Sequence, residues 1–300
     1  VRGLQSYGVE VSFLVQRRGF SEDYSDIGAN RVRTINEIAR PSPSTLMDVY
    51  RQTSRVLSGA RPSHVIIRTG RNWSTFVTLL AARRKSIPAL LYIQEPIYRR
   101  SIRMSSWVLY VLTSRVFGYR IFSPVTCRES DGAGVLRRAP GFTFIGFAAP
   151  AFLRPRKLGR RCRLLSVGKY RKRKNHLELI RLVGDLHQSG GDFSLTIIGE
   201  ATTTEELSYL DTCRQEIDTL NLHDRVQLLT NLSHSSVLAQ MALHEVFIMI
   251  ATDEPASISQ IEAMGMGMCP VILSDNGTAS YVKSGTGYRV DSIAQAKEAV

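Results

Sequence analysis

The sequence has few cysteines and histidines, and neither residue type is spaced to bind a metal. The four cysteines lie far apart without a CxxC pair, and the six histidines show no ligand spacing. These spacings indicate neither a disulfide framework nor a zinc site, and a reducing compartment fits them best. We therefore expect no metal and no separate cofactor.

Long apolar runs are also missing. No run reaches the roughly 18–20 residues that span a bilayer, and the longest, from Trp107 onward, is interrupted by Arg115. This stretch is either a buried core helix, the commoner case, or an interfacial stripe beside Arg99, Arg100 and Arg103. We expect a cytoplasmic protein, with peripheral attachment to the inner face of the cell membrane as the second alternative.

Acidic residues are scarce in the first half of the chain. The first 150 residues carry 22 basic and 9 acidic side chains, whereas the last 150 carry 17 of each, so the whole net charge of +13 lies in the first half. This asymmetry favours an anionic partner, such as a membrane surface or a phosphorylated substrate. A basic nucleic-acid-binding protein is an alternative, but no nucleic acid is expected, because the sequence has no aromatic-interleaved basic run.

The remaining composition is that of a globular protein. With 300 residues, 43% hydrophobic and 22% charged, disorder, collagen and coiled coil are excluded. Short apolar runs alternate with segments of helical period, a pattern typical of βα units in parallel sheets. We predict strands at 9–15, 64–68, 89–93, 120–123, 142–145, 163–167, 194–198, 226–229, 246–250 and 270–273, and helices at 44–58, 73–84, 101–117, 174–188, 203–220, 234–243, 257–266 and 277–283.

A segment rich in proline, glycine and arginine, FAAPAFLRPRKLGRRCR, separates two such series and is typical of a linker. The sequence therefore predicts an α/β fold with two tandem Rossmann-like, doubly wound parallel-sheet domains, 1–155 and 156–300, facing a cleft. Because the chain starts within one element and stops just after another helix begins, we expect both termini to be truncated.

The segment ATDEPASISQIEAMGMGMCPVILSDNG follows the apolar strand VFIMI. Ser257 and Gln260 form an S-x-x-Q capping box, which predicts a helix from about Ile258. The amides of Ala256, Ser257, Ile258 and Ser259 would then be free at the carboxyl edge of a sheet, where a diphosphate is favoured.

Two carboxylates flank this predicted helix start. Glu254 precedes the cap, and Glu262 lies about 7 Å beyond it at 1.5 Å per residue. A nucleotide sugar fits this spacing, with its sugar hydroxyls near Glu254 and its ribose near Glu262. An E-x7-E pair by itself arises easily by chance, so the prediction depends on the strand, loop and capped helix around it.

A second candidate site is the basic turn SVGKYRKRKNH. Lys169 follows the strand, and Lys174 comes five residues later, so two ammonium groups can converge on a phosphate pair. The residues between them, Arg171 to Arg173, are interpreted as a solvated surface. His64 and His176 are interpreted as structural rather than catalytic.

These segments resemble one known family. The segment LLSVGKYRKRKNHLELI is similar to a strand of that family, its G-R-x(4)-K-G/N motif and the helix that follows. The segment LTIIGE is similar to the end of another of the family's strands. The stretch of about 60 residues that begins with LHDRVQ and ends with TASYV resembles the family's donor site. The second half of the chain thus resembles the nucleotide-sugar-binding domain of the retaining GT-B glycosyltransferases known as glycosyl transferases group 1, or family 4. The first half resembles the acceptor domain only in layout.

The resemblance implies a hexosyltransferase-type glycosyltransferase of EC class 2.4. It would move a sugar from a nucleoside-diphosphate-sugar to a saccharide or lipid-linked acceptor, with retention and without a metal. The family's E-x7-E falls on Glu254, toward the reaction centre, and on Glu262, toward the ribose. Its diphosphate clamp falls on Lys169, where arginine is usual, and on Lys174. A nucleotide-sugar epimerase on the same fold stays an alternative, because the fold does not fix the acceptor.

Overall fold

The computed structural model describes residues 13–17, 32–36, 42–68, 73–94, 104–125, 142–147, 149 and 160–300. These form two compact units, of which the second includes the whole of 160–300. The predicted domain boundary near 155 lies outside the described residues and stays a prediction. Among the described residues, no helix combines the length and the apolar character needed to cross a bilayer.

The described residues of the first half form two small sheets and three helices. Strands β1 and β2 pair in parallel, and β3, β4, β5 and β6 lie side by side in that order, with β3 to β5 parallel. The elements are β1 Phe13–Arg17, β2 Val32–Asn36, α1 Pro43–Ala60, β3 Val65–Arg68, α2 Trp73–Arg84, β4 Ala89–Tyr92, α3 Met104–Phe117, β5 Arg120–Ser123 and β6 Phe142–Phe144.

Residues 160–300 form one six-stranded sheet, in the order β12-β11-β10-β7-β8-β9. Every paired strand is parallel to its neighbour. The elements are β7 Cys162–Val167, a 3-10 turn Lys172–Lys174, α4 His176–Gln188, β8 Phe193–Gly199, α5 Thr204–Thr219, β9 Val226–Thr230, α6 His234–Met241, β10 Val246–Met249, α7 Ile258–Gly265, β11 Cys269–Leu273, a 3-10 turn Ala279–Tyr281, β12 Tyr288–Val290 and α8 Ile293–Ala299.

Helices cover both faces of this sheet, which explains its apolar strands. Leu164 of β7 packs into a core with side chains of α4 and α5, whereas Leu165 packs into a core on the opposite face. In β10, Ile248 packs into the same core as Leu164, and Phe247 packs into the same core as Leu165. Because successive side chains point to opposite faces and both are buried, these strands are near-continuous apolar runs rather than alternating ones.

The predicted α/β class and parallel sheets are confirmed, and three elements differ from the prediction. The segment 277–283 is not a helix but a three-residue 3-10 turn, because Asn276 and Thr278 use their side chains in buried hydrogen bonds. Strand β2 was not predicted, and neither was β12, whose Tyr288 and Arg289 are exposed and give little apolar signal. Predicted strand residues 9–12 lie outside the described part of the chain.

Candidate functional site

The carboxyl ends of β7, β8, β10 and β11 bring the predicted site residues to one edge of the six-stranded sheet. Parallel strands end at the same edge, and loops there hold most ligand sites of this architecture. The basic turn follows β7, Glu200 follows β8, and Glu254 follows β10. The predicted site therefore assembles within one compact unit.

The basic turn is fixed to the loop after β10. Thr252 donates its backbone N–H to the carbonyl of Arg173 (2.9 Å), and Asn175 donates its side-chain amide to the carbonyl of Ile250 (2.8 Å). Asn175 takes the left-handed conformation, with φ of 53°, which ends the turn and starts α4 at His176 rather than at 174. These bonds hold the turn against the chain that carries Glu254.

Glu254 lies at the centre of a cluster of charged side chains that also contains Arg173 and Lys174. Its side chain is only 6% exposed, and its Oε2 accepts from Arg173 Nη1 (2.8 Å) and Lys174 Nζ (2.5 Å). Burial lowers the pKa of Lys174, and the neighbouring Glu254 opposes that shift. Arg173 is exposed, as the interpretation of Arg171 to Arg173 as a solvated surface predicts, but it also pairs with a carboxylate that is distant in sequence.

The two predicted clamp lysines do not share a partner in this structure. Lys169, 46% exposed, pairs with Glu200 (2.8 Å), whereas Lys174, 10% exposed, pairs with Glu254. Both stand at the same edge, but their ammonium groups contact different carboxylates. Convergence on one anion would require at least one of these pairs to open.

Helix α7 starts where the sequence predicts, but only half of its capping box forms. Ser257 is the cap and accepts from the amide of Gln260. The side chain of Gln260 does not return to the cap. It is fully buried, donates to the carbonyl of Thr278 (3.1 Å), and accepts from Asn276 (3.2 Å) and the Thr278 hydroxyl (2.8 Å).

This buried network fixes the loop before α7. The amide of Gly277 donates to the carbonyl of Glu254 (2.9 Å), and Glu254 forms a parallel bridge with Asn276. A Cβ at position 277 would lie 1.9 Å from the carbonyl oxygen of Pro255, so only glycine permits this approach. The loop that carries Glu254 is thereby held from the β11 side as well.

The amides at the start of α7 are only partly available. The amide of Ser257 donates to Thr278 Oγ1 (3.3 Å), so the expectation that it is free is wrong. The physical reason is that the buried threonine reaches it from the neighbouring loop. Within residues 160–300 and the other described segments, the amides of Ala256 and Ile258 have no acceptor, and they stay candidate anion donors.

Glu262 lies in the second turn of α7, as predicted, and its carboxylate is partly exposed. His234, at the start of α6, donates from Nε2 to Glu262 Oε1 (2.7 Å). The sequence does not reveal this pair, because the two residues are 28 positions apart on different helices. Along the chain, Glu254 precedes the α7 cap and Glu262 follows it.

His176 is structural, as predicted. It is buried between the rings of Tyr170 and Tyr209, with centroids 5.2 and 6.0 Å away. Burial lowers the pKa of His176 to about 3, helped by the charge of Lys174. Its side chain is therefore neutral at physiological pH.

Arg171 is exposed, as predicted, but it is also paired. It contacts the buried Glu206 (2.9 Å), which closes a capping box at Thr203. Hydrogen bonds from the amide of Thr202, from Arg171 and from the amide of Thr203 lower the pKa of Glu206 to about 2. Arg171 therefore fastens the basic turn to α5. Lys172, between the two arginines, is exposed as well.

The described residues contain no group of three or more histidine, cysteine, aspartate or glutamate side chains that could hold a metal ion. The cations and carboxylates at this edge instead pair with each other. The arrangement can bind an anion through Lys174 and the open amides, and it presents a carboxylate beside that anion.

Comparisons with known proteins concern the family and the fold. Residues 155–300 match the sequence model of the family "Glycosyl transferases group 1". The search among curated proteins returned no match.

Three solved structures show the same fold. A glycosyltransferase from Rickettsia africae is 14% identical, with a TM-score of 0.76 over 99% of this chain and 80% of its own. Anabaena Alr3699/HepE, solved with UDP and glucose, is 15% identical, with a TM-score of 0.65 over 92% and 77%. A UDP-forming trehalose-phosphate synthase from Burkholderia xenovorans is 11% identical, with a TM-score of 0.55 over 88% and 72%.

The fold is therefore GT-B, the two-unit architecture of parallel sheets found in these glycosyltransferases. The family match covers the half of the chain that carries the site. The protein is a glycosyltransferase, an enzyme of EC class 2.4.

Proposed function

We propose that this glycosyltransferase takes its sugar from a nucleoside-diphosphate-sugar and transfers it with retention, without a metal, to a saccharide or lipid-linked acceptor in polysaccharide biosynthesis. Glu254 would face the transferred sugar, and Glu262 the ribose. Lys169, Lys174 and the amides of Ala256 and Ile258 would face the diphosphate. Ser257 would contribute as the helix cap rather than through its amide.

The observation that carries this proposal is the coordination of Lys174. Its side chain is nine-tenths buried, and its ammonium group has three N–H bonds, but the one acceptor of that group among the described residues is Glu254. A buried ammonium with unused donors favours a further anion. The α7 N-terminus beside it adds open amides and the positive end of the helix dipole.

This arrangement suits a leaving diphosphate. As the bond from the anomeric carbon to the diphosphate breaks, negative charge grows on the phosphate oxygens. Lys174 and the α7 amides would stabilise that charge in place, which needs little reorganisation. The Glu254 carboxylate, which contacts Lys174, would face the positive charge that develops on the sugar. UDP as the nucleotide is the first choice to test, because Alr3699/HepE was solved with UDP.

A thermal-shift panel with UDP, GDP, ADP and their sugars tests the proposal directly. We expect one nucleoside diphosphate to raise the melting temperature, with no loss of binding in EDTA. Product analysis with that donor then gives the anomeric configuration. No shift with any nucleotide would contradict the proposal, and a product of inverted configuration would contradict retention.

We also propose that the first half of the chain attaches to an anionic membrane surface, which would place it beside a lipid-linked acceptor. Helix α3 exposes Val108, Leu112 and Val116, at 44%, 54% and 57%. Their spacing of four residues puts them on one helix face, and exposed Arg115 lies next to them. This face supports the interfacial alternative over the core helix.

A further inference from the structure

The two oxygens of the Glu254 carboxylate are used unequally. Arg173 Nη1 and Lys174 Nζ both donate to Oε2, and no described residue donates to Oε1. One carboxylate charge thus faces two cationic side chains. This leaves one positive charge in excess, and it leaves Oε1 as an open acceptor.

Lys174 and Arg173 hold Glu254 in different ways. The Lys174 side chain is buried and lies over Gly168, where its Cε would be 3.1 Å from an added Cβ. Arg173 is 40% exposed, but its backbone carbonyl accepts from both the amide and the hydroxyl of Thr252. Because Thr252 belongs to the loop that carries Glu254, Arg173 and that loop are bonded through both backbone and side chain, whereas Lys174 reaches Glu254 through its side chain alone.

We propose that Glu254 fills the anion site of Lys174 only until the donor binds, and that Arg173 is the positioning residue that keeps its carboxylate in place afterwards. The inference rests on the proposed function. The diphosphate takes Lys174, the Lys174–Glu254 bond opens, and the Arg173–Glu254 bond remains. Glu254 then enters the donor complex with its negative charge balanced and its free oxygen toward the sugar.

The first consequence concerns the sign of an affinity change. If Glu254 competes with the diphosphate for Lys174, then Glu254→Gln, which keeps the shape and removes the charge, binds the nucleoside diphosphate at least threefold more tightly by calorimetry. The same variant loses donor turnover. Unchanged or weaker binding of the nucleoside diphosphate by Glu254→Gln would overturn the proposed competition between Glu254 and the diphosphate for Lys174.

Asp185→Asn is the matched control for the lost charge. Asp185 also pairs with a lysine, Lys297 (3.2 Å), and lies in the last turns of α4, remote from the edge that carries Glu254. It should leave nucleotide affinity within twofold of the wild type. An equal gain in Asp185→Asn would show that net charge alone causes the effect, and it would overturn the proposal.

The second consequence separates positioning from binding. Arg173→Gln should lower kcat for release of the nucleoside diphosphate from its sugar donor by at least tenfold, while nucleotide affinity falls less than threefold. Arg173→Lys should recover most of kcat, because it restores the cation. Equal losses in kcat and affinity, or no recovery with lysine, would overturn the positioning role. Since Arg173 is partly exposed, this arm carries the test even where Glu254→Gln does not fold.

The proposed function fails separately from this inference. A folded wild-type protein that binds none of UDP, GDP and ADP contradicts the proposed function itself. A wild type that binds one of them, with Glu254→Gln binding it no more tightly, contradicts only the exchange at Lys174.

Discussion

The side chain of Lys174 passes directly over Gly168. A Cβ at position 168 would lie 3.1, 3.2 and 3.3 Å from Cε, Cδ and Nζ of Lys174. The backbone of Gly168 is not in the left-handed region, so the glycine is needed for space rather than for its conformation. The strand end thus leaves the lysine a path to Glu254.

Gly168→Ala should therefore weaken nucleotide binding without unfolding the protein. The added methyl group pushes against a lysine that is already buried, and overpacking of this kind costs about 1–3 kcal/mol. We expect calorimetry to show a loss of affinity for the nucleoside diphosphate of roughly fivefold or more, since the ammonium shifts from its site.

Gly184→Ala is the matched control. Its added Cβ would meet Leu222 and Leu220 at ordinary distances of 3.5 and 3.6 Å. Because it lies inside helix α4, alanine should stabilise the protein by about 0.5–1 kcal/mol. Nucleotide affinity should not change. A Gly168→Ala variant that behaves like this control would show that Lys174 moves aside without cost.

The two clamp lysines should contribute unequally. Lys174→Ala removes a buried charged donor, so we expect a loss of about 1.5–3 kcal/mol in affinity for the diphosphate. Lys169→Ala should cost less, because Lys169 is half-exposed and first has to leave Glu200. Calorimetry with UDP and uridine separates the two effects. Equal losses for nucleotide and nucleoside would mean that the lysines do not contact phosphate.

Glu262→Ala should weaken binding of the nucleoside itself. A lost hydrogen bond between a carboxylate and the ribose hydroxyls costs about 1.5–3 kcal/mol. His234→Ala, which removes only the partner of Glu262 in this structure, should change uridine affinity by less than the glutamate variant does. Unchanged uridine binding in Glu262→Ala would place the ribose elsewhere.

The sequence predicts the backbone of the site better than its charge contacts. The start of α7 at Ile258 follows from a local rule. The side chain of Ser257 caps the helix by accepting a hydrogen bond from the backbone amide three residues later in the chain. The side chain of Gln260 departs from the same rule, since its partners Asn276 and Thr278 come from another loop. Pairs such as Arg173 with Glu254 form between loops that join different strands, and no spacing along the chain encodes them.

The buried His176 should make the protein less stable as the pH falls. Its pKa is about 3 in the folded chain and near 6.5 when exposed. Between these values the unfolded state binds the proton and the folded state does not, so the free energy of unfolding decreases from pH 6.5 downward. The lost stability should reach about 2 kcal/mol at pH 5, at 1.36 kcal/mol for each pH unit.

His176→Phe tests this assignment by removing the titrating group while keeping a ring beside Tyr170. Between pH 7 and pH 5, the free energy of unfolding of His176→Phe, measured in urea, should fall by about 2 kcal/mol less than that of the wild type. His223→Phe is the control, because His223 is exposed. The same pH dependence in wild type and His176→Phe would assign the acid sensitivity to other groups.

The last prediction concerns the exposed face of α3. If Val108, Leu112 and Val116 enter an anionic bilayer surface, the protein should bind vesicles containing phosphatidylserine, and added salt should weaken that binding, since basic residues near the leaflet gain about 1 kcal/mol each within a Debye length of roughly 8–10 Å. Leu112→Glu loses apolar burial and gains repulsion, so its affinity for these vesicles should fall about tenfold or more. Met47→Glu makes the same change on the exposed face of α1 and should retain most of the binding. Equal binding to neutral and anionic vesicles would exclude the electrostatic part, and equal losses in the two variants would show that net charge, not the α3 face, determines attachment.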